Sequence, residues 1–175
     1  AAWGPQALAN SIYAAAVLEQ PVTAEWSAAF WRASSSSMAA AQPQHLSNMA
    51  WAAARLGLSP PASWMGQWLA ASAGSMAGAV PQGMSNSLWA VAKLRWGRAA
   101  LQPLPGELLT EQQQQQQVGG LGRGSAAGGG DLGSSSWLGV FCSSSIGRLD
   151  TFSDQALSNC CWALGSIAQQ QQQQR

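Results

Sequence analysis

Apolar residues between positions 43 and 56 recur at the spacing of a single helical face. Leu46, Met49, Ala53 and Leu56 follow one another at intervals of three or four residues, which is the pattern of an amphipathic α-helix. The run 57–61 then contains a glycine and two successive prolines, and proline in a helix interior breaks the helix. This segment therefore predicts a helix that ends at a proline-rich turn.

A second stripe follows this turn. Trp64 and Trp68 are four residues apart, and Ser72 and Met76 continue the same spacing. Residues four apart lie on one face of a helix, so the stripe predicts a second helix over about 61–78. Because one pair of helices is too small to bury such a stripe, we expect neighbouring pairs to stack on it.

The two-helix pattern repeats at an interval of 38 residues. Openings with the sequence Pro-Gln begin at Pro5, Pro43 and Pro81, and a related opening without proline begins at Asp154. An asparagine and an aromatic residue follow each opening at fixed offsets. Such internal repetition is typical of solenoid proteins. The sequence therefore predicts an all-α fold, an α-solenoid of 38-residue helical-hairpin repeats.

The last interval is longer than the others. Asp154 follows Pro81 by 73 residues, which is 35 more than one repeat. The tryptophan near the start of each second helix nevertheless lies 17 residues before the following opening in all three copies. The surplus therefore falls inside the third copy, and we expect a disordered low-complexity insert near 102–136. This segment holds the glutamine run Gln112–Gln117 and a glycine run, which are compositions typical of flexible chain.

These intervals predict the organisation of the whole chain. The predicted units are repeat 1 over 1–42, repeat 2 over 43–80, repeat 3 over 81–153 with its insert, the first helix of repeat 4 over 154–168, and a polyglutamine tail over 169–175. The fourth copy has no second helix. We therefore expect the apolar face formed by Leu157, Cys161 and Leu164 to be exposed.

Charge is scarce, and this limits the functions available. Only 9% of the residues are charged and the net charge is +1, against about 25% charged residues in typical globular proteins. His45 is the single histidine, and the carboxylates form no close pair at a repeated position, so we expect no enzyme activity. Three cysteines without metal-ligand spacing predict no metal site and no cofactor. No apolar run reaches the roughly 18 residues that predict a membrane-spanning helix.

The repeated opening and the turn together resemble a known family. The opening of the second copy, Pro43–Ala52, reads PQHLSNMAWA, and the proline-rich turn ends in tryptophan over Pro60–Trp64. In both features the chain is similar to the octotricopeptide repeat family of green algal proteins, to which proteins with a RAP domain are related. The resemblance covers roughly 5–101 and 137–168. The third copy departs from it because it lacks the proline-rich turn.

The resemblance implies a function that composition alone does not indicate. Members of this family bind single-stranded organellar RNA and control the stability, splicing or translation of particular transcripts. It implies a location in the chloroplast, with the mitochondrion as the alternative, and other RNA-processing proteins as further partners. Neither a membrane nor a metal is expected as a partner. Because the chain begins with Ala1, we expect a longer protein whose targeting segment lies outside this sequence.

One face of the first helices carries the residues suited to this function. On a helical wheel, a glutamine, an asparagine and an aromatic residue lie together, opposite the leucine stripe. Amides that contact base edges, rings that stack on bases and cations that contact phosphates are the means of single-strand recognition. The candidate RNA-binding residues are Gln6, Asn10 and Tyr13; Gln44, Asn48, Trp51 and Arg55; Gln82, Asn86, Trp89 and Lys93; and Gln155, Asn159 and Trp162.

A residue present in every copy cannot distinguish one base from another. Base reading is therefore a hypothesis for positions that vary between copies. Near the same face these are Ala7, His45, Gly83 and Ala156, and Val17, Arg55, Lys93 and Ser166.

Other interpretations of this face stay open. The rings are also suited to fill the core between hairpins, and the asparagines to bond the backbone of the next repeat. A protein-interaction scaffold of the tetratricopeptide or armadillo type uses the same stacking but receives a peptide in its groove. An electropositive groove lined by amides favours RNA, whereas an apolar groove favours a protein partner.

Overall fold

The computed structural model of the chain describes residues 3–104 and 135–173, and these ranges are all-helical. The α-helices are α1 (Pro5–Val17), α2 (Ala24–Ser37), α3 (Pro43–Arg55), α4 (Ala62–Gly74), α5 (Pro81–Lys93), α6 (Gly97–Ala100), α7 (Trp137–Ser145) and α8 (Asp154–Gln172). Short 3-10 helices, Met38–Ala40, Met76–Gly78 and Ile146–Thr151, follow α2, α4 and α7. No strand occurs in the described ranges, so the predicted all-α class is confirmed there.

Local sequence explains where most of these helices begin. α1, α3 and α5 each start with a proline, whose missing N–H is not needed in a first turn. α8 starts with Asp154 instead, and there the Ser153 hydroxyl accepts a hydrogen bond from the Ala156 N–H at 3.3 Å. The Thr23 hydroxyl caps α2 in the same way, by accepting from the Trp26 N–H at 3.2 Å. Such side-chain caps stabilise a helix start by about 1 kcal/mol.

The first helices of the successive copies form one layer. α3 packs between α1 and α5, and α8 packs on the other side of α5. The helices approach closely where small residues meet. A Cβ added to Gly83 on α5 would lie 3.4 Å from the Ser47 hydroxyl oxygen on α3.

The second helices form a second layer with its own repeated contact. α4 packs on α2, and α7 packs on α4. The Trp64 indole N–H donates to the Ser34 hydroxyl at 2.8 Å, and the Trp137 indole N–H donates to the Ser72 hydroxyl at the same distance. These pairs are 30 and 65 residues apart, and the difference equals the length predicted for the insert. α7 therefore contacts α4 as α4 contacts α2.

The core lies between the two layers and is rich in tryptophan. Trp64, Trp68 and Trp137 are fully buried. The Trp68 indole N–H donates to the Leu46 carbonyl on α3 at 2.9 Å, so this ring links the two layers. The buried N–H groups of all three indoles thus have acceptors, as buried polar groups generally must.

The two borders of the predicted insert lie side by side. The Leu104 N–H donates to the Ser135 carbonyl at 2.9 Å, and Pro103 forms an isolated bridge with Ser136. The residues between them, which include nearly all of the insert predicted near 102–136, lie outside the described ranges. The described residues on either side of this gap, Leu104 and Ser135, are therefore in direct contact.

Two helical segments go beyond the pattern seen in the sequence. α6 is a short helix that was not predicted, and it packs against α8. α8 itself continues to Gln172, past the predicted limit of 168, so the first part of the predicted polyglutamine tail is helical. Glutamine is a good helix former, and the Gln170 side chain donates to the Ala92 carbonyl at 3.0 Å. The last two residues of the tail lie outside the described ranges.

Candidate functional site

The N-terminal halves of α1, α3 and α5 border a groove of about 800 Å³. Its walls carry five side-chain amides from the predicted RNA-binding face, namely Asn10, Gln44, Asn48, Gln82 and Asn86, together with the Tyr13 ring. No charged side chain is among the residues that line it. The structure therefore brings part of the predicted face together as a polar, uncharged groove.

The repeated asparagines are available to a ligand. Asn10 is exposed, and Asn48 and Asn86 are half-buried. Within residues 3–104 and 135–173, none of these three side chains hydrogen-bonds another residue. An asparagine ladder between repeats, one interpretation of this position, is therefore not formed. In the fourth copy, the Asn159 side-chain oxygen accepts from the Gln155 amide at 3.0 Å.

The aromatic residues of the face form two pairs at the surface. The rings of Tyr13 and Trp51 have centroids 5.3 Å apart, and those of Trp89 and Trp162 are 6.4 Å apart. Tyr13 is 41% exposed and Trp162 is 46% exposed, whereas Trp51 and Trp89 are half-buried. The outer ring of each pair is therefore no part of the core and presents an edge or face to solvent.

Arg55 and Lys93 occupy the same position of their copies but differ in surroundings. The Arg55 guanidinium forms an ion pair with the Glu19 carboxylate at 2.7 Å. The Lys93 ammonium lies 5.8 Å from the ring centroids of both Trp89 and Trp162, which is a cation–π distance. Within residues 3–104 and 135–173, no carboxylate pairs with Lys93, whereas the charge of Arg55 is balanced by Glu19.

A second cavity, of about 240 Å³, lies where α5 meets α8. Lys93, Arg95, Trp162, Ser166 and Gln170 are among its lining residues. Arg95 is not among the candidates chosen from the helical wheel, because it lies beyond the end of α5 in the left-handed region, with φ +60°. In the sequence it belongs to a cluster of cations, with Arg55, Lys93 and Arg98, that is suited to contact a phosphate backbone.

The positions that vary between copies are not all at the surface. Ala156 is buried, whereas Gly83 is buried but lines the groove. Base reading at these positions stays a prediction. The His45 ring nitrogen Nδ1 accepts from the Gln42 N–H at 3.2 Å, which makes this side chain a cap of α3. Ala7 is exposed. In the second set of varying positions, Val17, Arg55 and Lys93 are exposed and Ser166 is half-buried.

The remaining predicted candidates lie at the ends of the face. Gln6 and Gln155 are exposed at the first turns of α1 and α8. In the part of the chain that the structure describes, no group of His, Cys, Asp or Glu side chains is arranged to hold a metal ion. None of the helices there has the length and apolar character needed to cross a membrane. The described surface therefore offers amides, rings and a few cations as its binding chemistry.

Known proteins give no assignment for this chain. No protein-family model, no curated protein and no solved structure matches it. The likeness to octotricopeptide repeats thus rests on the repeated opening and turn of the sequence.

Proposed function

We propose that the chain is an α-solenoid of 38-residue repeats that binds single-stranded RNA along the layer formed by α1, α3, α5 and α8. Two observations support the architecture. Helices α1, α3 and α5 begin 38 residues apart and pack side by side in the order of the sequence. The second helices contact one another through the same tryptophan–serine hydrogen bond. A layer built in this way presents the same face of each copy to one ligand.

The observation that carries the RNA proposal is a groove with three asparagines whose side chains hydrogen-bond no other residue in the described part of the chain. Asn10, Asn48 and Asn86 each offer a donor and an acceptor, which is what the edge of an unpaired base requires. The exposed rings at Tyr13 and Trp162 provide surfaces for stacking, which contributes about 1–3 kcal/mol per base. Single-stranded RNA presents both base edges and base faces, so it matches the two kinds of side chain.

The cavity at Lys93 and Arg95 supplies the charge that the groove lacks. RNA binding depends on contacts between cations and phosphates. Lys93 is held by two rings that do not neutralise it, and Arg95 lines the same cavity. We infer that a phosphate of the bound strand lies here. From the family resemblance we infer that the bound RNA is an organellar transcript, in the chloroplast or the mitochondrion, and that binding controls its stability, splicing or translation.

The proposal is tested by selection from a randomised single-stranded RNA pool on the recombinant chain, followed by affinity measurements on the enriched sequence. The variant carrying both Asn48→Ala and Asn86→Ala should bind the selected RNA about tenfold or more weakly, since each lost hydrogen bond contributes about 1 kcal/mol. Gln67→Ala is the matched control, because Gln67 is an exposed amide on α4 in the other layer. Equal affinity of all three proteins would contradict the proposal.

A second candidate function is favoured by the absence of charge among the residues that line the groove. A neutral row of amides also suits the backbone of an extended peptide, as in helical-repeat scaffolds that bind proteins. The RNA selection separates the two functions. A helical, folded chain that enriches no RNA but binds peptides in an Asn48-dependent manner would be a protein-interaction scaffold.

A further inference from the structure

The side chain of Arg148 fills the junction between α4 and α7. Its Nη1 donates to the Ala77 carbonyl at 3.1 Å, and its Nη2 donates to the Ala79 carbonyl and to the Met84 sulfur. Both carbonyls lie at the 3-10 turn Met76–Gly78 that follows α4. The last carbonyls of a helix have no partner within it, and cationic side chains are well suited to satisfy them. The chain thus places a guanidinium where the turn lacks donors.

The preceding junction, between α2 and α4, has a turn of the same shape. The 3-10 turn Met38–Ala40 follows α2 as Met76–Gly78 follows α4. The residue after each turn is an alanine in extended conformation, with φ −77° and ψ 131° at Ala41 and φ −76° and ψ 138° at Ala79. α4 packs on the first turn as α7 packs on the second. The two turns therefore present equivalent carbonyls to the helix that packs on them.

No guanidinium of the described residues occupies this preceding junction. When the tryptophan stripes are aligned, Ser75 stands where the next copy has Arg148, and the Ser75 hydroxyl donates within its own helix at 2.9 Å. The two carbonyls equivalent to those that Arg148 contacts belong to Ala39 and Ala41. In the part of the chain that the structure describes, no group donates a hydrogen bond to either of them.

Ala39 and Ala41 border a cavity of about 490 Å³ between the turn and α4, which we call the α2–α4 cavity. Its other wall includes Ala71, Gly74 and Ser75, and no charged side chain is among its lining residues. Small apolar walls suit the methylene stem of an arginine, which packs on apolar surface while its head makes polar contacts. The α2–α4 cavity shares no lining residue with the amide groove, so a ligand bound here leaves the groove free.

We propose that the α2–α4 cavity binds an arginine side chain of a partner protein. Its guanidinium donates to the carbonyls of Ala39 and Ala41, as Arg148 donates to their counterparts. A guanidinium carries its N–H donors in one rigid plane and reaches two carbonyls at once, whereas a lysine ammonium is a compact, strongly hydrated charge. Leu46 stands where the next copy has Met84, so the sulfur contact has no equivalent. The partner is a protein rather than RNA, because RNA is an anion without such a group.

The test uses the whole chain, labelled with ¹³C at its alanine carbonyls, and N-acetyl-arginine methylamide as the probe. A carbonyl ¹³C resonance moves when its oxygen accepts a hydrogen bond. We expect the probe, titrated to about 20 mM, above the millimolar dissociation constant of a weak complex, to shift the resonances of Ala39 and Ala41 saturably toward those of Ala77 and Ala79. The latter two already accept from Arg148 and should stay in place. The absence of any shift at Ala39 and Ala41 would overturn the proposal.

Two matched probes test the chemistry of the ligand. N-acetyl-citrulline methylamide has the shape of the first probe without its charge, and N-acetyl-lysine methylamide has the charge without the planar fork. Both should bind at least about fivefold more weakly, because hydrogen bonds from a charged donor are stronger and the fork fixes their geometry. Equal shifts with the arginine and lysine probes would show that the cavity holds any cation, and the assignment of a guanidinium would be wrong.

A variant of the chain can fill the cavity from within. Ser75→Arg places a guanidinium in this junction as Arg148 does in the next one. It should shift the resonances of Ala39 and Ala41 without any probe and abolish binding of the probe. Ser63→Arg adds the same charge at an exposed position near the other end of α4, so it is the matched control and should bind the probe as the parent chain does. Probe-induced shifts that persist unchanged in Ser75→Arg would overturn the proposal.

The converse variant does not depend on the folding of Ser75→Arg. Arg148→Ser opens the junction between α4 and α7, and the probe should then also shift the resonances of Ala77 and Ala79. A probe that shifts these two but leaves Ala39 and Ala41 in place would show that the α2–α4 cavity is no arginine site. Without the probe, shifts at Ala39 and Ala41 that grow with protein concentration would mean that an arginine of a second copy fills the cavity, and the proposed partner would be wrong.

Discussion

At the scale of single residues, two serine hydroxyls hold the second layer together. The Ser34 hydroxyl donates to the Phe30 carbonyl at 2.7 Å while it accepts from the Trp64 indole. Ser72 does the same between the Trp68 carbonyl and the Trp137 indole. Each hydroxyl therefore satisfies a buried donor on the next helix, and a buried donor without an acceptor is costly.

Replacing either serine by alanine should destabilise the protein. Ser34→Ala and Ser72→Ala leave a buried indole N–H without an acceptor, so each should lower the free energy of unfolding by about 1–3 kcal/mol. Urea denaturation followed by tryptophan fluorescence measures this change. Ser36→Ala, at an exposed position of α2, should change it by less than about 0.5 kcal/mol. The same small change at all three positions would show that the hydroxyls do not stabilise the layer.

At the scale of elements, the first helices of copies one to three end in the same left-handed turn. Glu19, Gly57 and Arg95 have φ values of +53°, +66° and +60° and occupy equivalent positions. After each of them, the next N–H bonds back to a carbonyl five residues earlier at 2.9 Å, as in the Schellman motif. Only Gly57 adopts this conformation without a Cβ penalty, which for other residues is about 1–2 kcal/mol.

Arg95 is therefore expected to reduce stability and to support binding. Arg95→Gly should raise the free energy of unfolding by about 1 kcal/mol, and it should weaken binding of the selected RNA because it removes a cation from the cavity at α8. Gly57→Ala is the matched control and should lower the free energy of unfolding by a similar amount. If Arg95→Gly stabilises the chain and leaves RNA affinity unchanged, Arg95 makes no phosphate contact.

The contact between α6 and α8 depends on a residue without a side chain. A Cβ at Gly97 would lie 2.8 Å from Cγ2 and 3.3 Å from Cβ of Ile167, which is buried. Because Ile167 is β-branched and surrounded, Gly97→Ala should cost about 1–3 kcal/mol in stability. Gly66→Ala in α4, where nothing lies within 4 Å, should instead stabilise by about 0.5–1 kcal/mol. Thermal unfolding of the two variants should shift in opposite directions.

At the scale of the whole molecule, the proposed RNA surface carries little charge. The groove has no charged lining residue, and the cavity beside it has Lys93 and Arg95. Arg55 is neutralised by Glu19. Affinity for RNA should therefore depend more on amides and rings than on the release of counterions.

This distribution predicts a shallow salt dependence. Each phosphate neutralised in a single strand contributes about −0.7 to the slope of log K against log salt, so two cations give a slope of about −1.4. Lys93→Ala should reduce it to about −0.7. The test is to measure the association constant for the selected RNA at salt concentrations from about 50 to about 200 mM. A slope of about −4 or steeper would mean that other cations make the contacts.

Most of the secondary structure was predictable from local patterns. The opening at Pro43 predicted the start of α3, and the tryptophan stripe predicted a helix over about 61–78, where the structure has α4 and a 3-10 turn. Both predictions depend on periodicity and proline, which act within a few residues. α6 was missed because it packs on distant parts of the chain, α5 and α8, and the extension of α8 because its Gln170 side chain bonds to α5.

For the candidate site, the sequence predicted which side of each first helix carries the binding residues, but not the contacts that these residues make. Periodicity placed Asn48, Asn86 and Trp89 away from the leucine stripe, and the structure has them at the surface. It did not indicate that Gly83 would be buried against Ser47, nor that Arg55 would pair with Glu19. Arg95 was not placed on the face because it lies beyond the end of the helix whose wheel was considered.

By itself, the sequence predicted most of the helices, the 38-residue spacing of the first three openings and the side of each first helix that carries amides and rings. These properties follow from residue spacing and from the conformational limits of proline and glycine. Only the tertiary structure decided which asparagines lack a hydrogen-bond partner among the described residues, which cation there has no carboxylate beside it, and which serine bonds which tryptophan. These pairings join residues 30, 36 or 65 positions apart, and such contacts depend on how the helices pack rather than on any local preference of the chain.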